Sequence, residues 1–119
     1  MGRAVIRAVA DTSDTTLVAA LEHEGHGLMG QDAGLIAGTH ELGVLVSHER
    51  VKGLSKAQVV VDFSLPAGIA PLVEAATQAG VALVSGTTGL EPREMDALEA
   101  HAQKHPVVFA PNMSVAMNV

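Results

Sequence analysis

A chain of 119 residues holds one domain's worth of material, and with 48% hydrophobic residues it can bury a core, which excludes a disordered tail. Its net charge of −6 excludes an electrostatic nucleic-acid footprint, since Arg3 and Arg7, one helical turn apart, make no basic patch. The absence of Cys excludes disulfides and thiolate metal sites, and no apolar run approaches the roughly 18 residues of a membrane span, so a cytoplasmic protein is expected.

With two Phe and no Tyr or Trp, the core must be built from Val, Leu, Ile and Ala. Val5, Ile6 and Val9 share one face of an opening helix. Residues 17–21 (LVAAL) form the first apolar run. The stretch 25–43 carries glycines at 25, 27, 30, 34, 38 and 43 and reads as an ordered loop with a short helical turn. Residues 44–46 are a weak strand candidate and 59–63 (VVVDF) a stronger one. Ile69, Leu72, Val73 and Ala76 then follow the i, i+3, i+4, i+7 rule, with Pro71 in the first turn and Gly80 placed to end the helix. Residues 81–84 form another strand, and Met95, Leu98 and Ala102 mark a last helix with Pro92 near its start. Residues 107–110 close the series.

None of the four stronger runs alternates polar with apolar, so they read as parallel strands covered on both faces. Their order predicts an α/β fold: a Rossmann-like, doubly wound parallel sheet lacking its first strand. That strand would be central, so the chain is expected to be truncated, or to start at an internal Met, and to be poorly stable alone.

Open α/β sheets bind ligands beyond the carboxyl ends of their strands. Glu22 follows the first run and lies 20 residues beyond Gly2, the spacing of about 20 between phosphate-loop glycines and a ribose-binding acid. Taken alone it better suits a solvated strand-end Glu. Residues 64–66 (SLP) turn into a helix, 85–89 (SGTTG) form a glycine–hydroxyl loop, and 110–114 (APNMS) offer Asn112 at a strand tip. Each loop alone suits an ordinary β–α turn; three at adjacent strand ends point to a ligand crevice. His23 and His26 flank Glu24 without further ligands at metal spacing, so no metal is expected. His101 and His105 suit a solvated helix face, and Ser85 lies in no G-x-S-x-G elbow.

The runs VVVDFSLP, SGTTGLEPREMDAL and VVFAPNMSVAMNV, together with MGRAVIRAV and ALEHEGHGLMGQDAGLIAG, closely resemble the dihydrodipicolinate reductase family across essentially the whole chain. The resemblance implies an NADH- or NADPH-dependent oxidoreductase that reduces 4-hydroxy-tetrahydrodipicolinate in diaminopimelate and lysine biosynthesis. It assigns Met1 and Gly2 to the cofactor phosphates and Glu22 to the adenosine ribose, with His23 where relatives place an Arg for a 2′-phosphate. Gly86, Thr87 and Thr88 match the loop at the nicotinamide ribose, and Ala110, Pro111, Asn112 and Met113 the segment beside the nicotinamide. It implies a cofactor domain over residues 1–113 and, at 114–119, the start of a hinge helix into an absent substrate and oligomerisation domain. Catalytic residues and homo-oligomer contacts would lie there, with a small-molecule substrate as partner and neither nucleic acid nor membrane. Ala116 and Met117 depart from the family's Gly-Val. The alternatives are a non-catalytic nucleotide-binding module or decayed gene fragment, and a Rossmann dehydrogenase with another substrate.

Overall fold

The computed structural model describes residues 2–110, and these form two compact units that divide between Ala57 and Gln58. All named strand pairings are parallel.

The first unit opens with α1 (Gly2–Asp11), whose Val5, Ile6 and Val9 form the half-buried face foreseen from the periodicity. No strand precedes α1 among the described residues. Strand β1 (Ala20–Leu21) pairs with β2 (Val46–Ser47), Ala20 opposite Val46. Both are shorter or shifted relative to the apolar runs, because a strand exists only where a neighbour completes its ladder. Leu45 instead bridges Asp32 in antiparallel sense.

The glycine-rich stretch does contain a helical turn, α2 (Ala33–Ile36). Asp32 caps it: its carboxylate accepts from the N–H groups of Gly34 (2.8 Å) and Leu35 (3.2 Å). The same side chain also accepts from Leu42 (3.1 Å) and Gly43 (2.8 Å), so one carboxylate closes an eleven-residue loop. Led by the Leu42 bond, these contacts outweigh desolvation and hold Asp32 below the usual carboxylate pKa. Gly34 is needed for packing, since a Cβ there would collide with the His40 carbonyl. A further short helix, α3 (Arg50–Leu54), has no strong periodicity to announce it and buries Leu54.

The second unit is a three-stranded sheet in the order β3 (Val59–Asp62), β4 (Ala82–Ser85), β5 (Val107–Phe109). A 3₁₀ turn (Pro66–Gly68) leads into α4 (Ile69–Ala79), which buries Ile69, Leu72, Val73 and Ala76. Gly80, at φ 70°, ends it as predicted: its N–H bonds Thr77 and the N–H of Val81 bonds Ala76, the paired contacts of a Schellman motif. Helix α5 (Pro92–Ala102) has Pro92 in its first turn.

Three expectations fail here. The inward face of α5 is Glu94, Leu98 and His101, not Met95, Leu98 and Ala102, and Met95 is exposed. His101 is therefore no solvated residue: its ring bonds the Val81 carbonyl and Thr77 of α4, which makes a polar side chain acceptable inside. The strands are also not covered on both faces within this unit. Val59, Val61 and Val108 are exposed, whereas the face carrying Asp62, Leu83 and Ser85 is buried.

Candidate functional site

In the first unit, the backbone N–H of Glu22 donates to the Ser47 carbonyl (3.0 Å), which carries the β1–β2 ladder one residue further. The Glu22 side chain thus stands at the carboxyl end of β1, as predicted. Its Oε1 accepts from the backbone N–H of His23 (3.2 Å), and its Oε2 lies 3.8 Å from Nε2 of His26. His23 is exposed, with Nδ1 3.1 Å from the Glu24 carbonyl. Gly2 opens α1, and a side chain there would meet open space.

The fold brings the ligand atoms of Glu22, His23 and His26 within 4.8 Å of one another, closer than their spacing in sequence suggested. The backbone N–H of Leu28, however, donates to Nδ1 of His26 (3.1 Å). A neutral ring with Nδ1 accepting carries its proton on Nε2, the atom turned toward Glu22. In that tautomer the Nε2 N–H faces the Glu22 carboxylate.

In the second unit, Gly86, Thr87 and Thr88 follow β4, and Ala110 follows β5. The backbone N–H of Ala110 donates to the Ser85 carbonyl (3.1 Å), so these residues stand side by side beyond adjacent strand ends. They differ in character. Gly86 packs on the Phe63 ring, which a Cβ there would overlap. Thr87 is buried and its hydroxyl donates to Asp62 (2.6 Å). Thr88 is exposed. Met1, Pro111, Asn112 and Met113 lie outside the described residues.

Asp62 is the residue that sequence reasoning passed over. It closes an otherwise apolar run, and an acid at the covered end of a parallel strand was the signal available. Its Oδ2 also accepts from Ser85 Oγ (2.9 Å), and its Oδ1 from the Ser64 N–H (3.0 Å) and Ser64 hydroxyl (2.5 Å). Elsewhere in the unit, Met95, Leu98, Ala102, Val107 and Phe109 line an open groove of about 310 Å³ between α5 and β5.

Known proteins match this sequence along the whole chain. The family described as Dihydrodipicolinate reductase, N-terminus, matches residues 1–113. Proteins named 4-hydroxy-tetrahydrodipicolinate reductase from Alkalilimnicola ehrlichii and Nitrosomonas europaea are each 41% identical over 119 residues, all of this chain and 45% and 44% of theirs. The protein of that name from Thiobacillus denitrificans is 44% identical over the same length and is covered to 44%. The chain thus spans about 45% of the length of the curated relatives it matches. With parallel β–α–β units, strand-end loops and a match over 113 residues, the chain belongs to the dihydrodipicolinate reductase N-terminal family.

Proposed function

We propose that this chain holds the nicotinamide dinucleotide of an oxidoreductase that reduces 4-hydroxy-tetrahydrodipicolinate in diaminopimelate and lysine biosynthesis. The observation that carries the reading is the parallel pairing of β4 with β5, which sets the 86–88 loop beside Ala110 in a chain of this family. Bound dinucleotide would supply the hydride; this chain's residues bind and orient it.

The residues present fit that group. Glu22 follows β1 half-exposed, with carboxylate lone pairs free to accept from both adenosine ribose hydroxyls. The N-terminus of α1, opening on Gly2 with no acid in its first turn, suits a pyrophosphate. In this reading Thr88 and Ala110, which follow the adjacent strands β4 and β5, serve the nicotinamide half together with Pro111, Asn112 and Met113. A carboxylate at position 22 repels a 2′-phosphate and His23 offsets that only partly, so the reading favours NADH or use of both cofactors. Substrate binding, protonation and homo-oligomer contacts belong in this reading to a further domain, because the relatives are more than twice as long. No helix among the described residues is long and apolar enough to cross a membrane; a cytoplasmic location is part of the proposed reading.

The test is a fluorescence titration of the chain with NADH and NADPH, paired with a turnover assay. Measurable NADH binding, no turnover, and roughly tenfold weaker binding in Glu22→Ala are expected, the size of one charged hydrogen-bond pair. Unchanged affinity in Glu22→Ala would remove Glu22 from the site, and turnover by the 119 residues alone would refute the division of labour.

A further inference from the structure

We propose that Asp62 is a positioning residue that locks the loop after β4 and so divides its two threonines. Thr87 is an internal strut, and Thr88 is the hydroxyl that meets the nicotinamide ribose. The assignment of Thr88 rests on the cofactor reading above; the lock does not.

The β3–β4 register sets Asp62 opposite Ser85, so the two side chains share the covered face. Asp62, Ser85 and Thr87 are only 4%, 0% and 2% exposed. A buried carboxylate needs donors, and here they are neutral: the hydroxyls of Ser64, Ser85 and Thr87 and the backbone N–H of Ser64. Every hydroxyl has one proton, and these three give theirs to Asp62. None has a donor left for a ligand. Thr87 is turned inward twice, because its backbone N–H also approaches Ser85 Oγ at 3.4 Å. The backbone N–H of Gly86 donates to the Asp62 carbonyl (2.9 Å), and Gly86 itself packs on the Phe63 ring. With residues 86 and 87 fixed, the next side chain, Thr88, faces solvent with no hydrogen-bond partner among the described residues.

Only a carboxylate completes this lock. It presents two acceptor oxygens to three hydroxyl protons and one N–H, whereas an asparagine amide turns an NH₂ toward donors on one side. Asp62→Asn can keep its oxygen on Ser64 only by turning the NH₂ toward Ser85 and Thr87, whose hydroxyls would then accept and leave their own buried protons without an acceptor.

Amide hydrogen exchange at Gly86 and Thr87 reads the lock without any cofactor. Exchange roughly tenfold faster is expected in Asp62→Asn and in the isosteric Thr87→Val, with rescue in Thr87→Ser, which keeps the hydroxyl. Thr88→Val should leave exchange unchanged yet weaken NADH binding roughly tenfold. Wild-type exchange in Thr87→Val would overturn the lock, and this arm stands even where Asp62→Asn does not fold. Wild-type NADH affinity in Thr88→Val would overturn the division of the threonines. A wild-type chain that takes up no NADH would sink the cofactor reading and Thr88's assignment together, while exchange still decides Asp62.

Discussion

Replacement of His101 by leucine should destabilise the second unit and remove part of its dependence on pH. The ring is 1% exposed, with Nε2 2.9 Å from the Val81 carbonyl and Nδ1 2.7 Å from Thr77 Oγ1. As a neutral imidazole it donates to Val81 and accepts from Thr77. With a single proton, the Thr77 hydroxyl gives it to His101 Nδ1 while the ring is present and to the Val73 carbonyl, 2.8 Å away, once the ring is gone, so the Val81 carbonyl is the group left without its partner. A buried acceptor in that position costs about 1–3 kcal/mol, and the apolar burial of leucine offsets part of it. A loss of about 1–2 kcal/mol at pH 8 is expected.

The pH dependence has a definite sign. Burial pushes the His101 pKa below its ordinary 6.5, the nearby His105 pushes it further, and the Val81 bond opposes both. Above pH 6.5 the ring is neutral, folded or unfolded, and its full contribution is present. As the pH falls below 6.5 the unfolded chain takes up the proton first, and stability declines until the folded-state pKa is reached. The decline from this one group cannot exceed ~1.4 kcal/mol per pH unit. Urea unfolding of both proteins at pH 8 and pH 5 checks this. The wild type should lose more stability between the two than His101→Leu, narrowing the gap between them. A gap equal at both pH values, or wider at pH 5, would refute the argument.

Asp32 titrates with the same logic at lower pH. Its depressed pKa means that its stabilisation is complete above 3.8 and is lost as pH falls through the folded-state value, so Asp32→Asn should reduce the acid sensitivity of the first unit while lowering its stability at pH 7. Amide exchange at Leu42 and Gly43, faster in the variant, is the readout. Gly86→Ala drives a methyl into the Phe63 ring and should cost about 1–3 kcal/mol in a denaturant melt, with the ring shifted in its NMR signals. Gly80→Ala has room for its Cβ, 3.6 Å from the His105 ring, so its penalty is the left-handed backbone alone, about 1–2 kcal/mol in the same melt.

Much of the architecture was legible in the sequence, since it depends on local rules. Periodicity located α4 and α5, the left-handed requirement at the end of α4 singled out Gly80, and Pro92 marked a helix start. Unalternating apolar runs located the parallel strands along the chain. The position of Glu22 beyond β1 likewise needed only the end of an apolar run and a spacing.

What the sequence left open depends on partners distant along the chain. The rotation of α5 about its axis buries Glu94 and His101 in place of Met95 and Ala102, turning His101 to Thr77 of α4 and to the Val81 carbonyl. His101 becomes an interior residue because Thr77 and Val81, 24 and 20 positions away, supply its bonds. Asp62 reads locally as an acid at a strand end; the register with β4 makes it the hub of three hydroxyls. The two threonines of one loop are chemically alike in sequence. Only the tertiary structure, by burying one hydroxyl against a carboxylate and leaving the other in water, tells them apart.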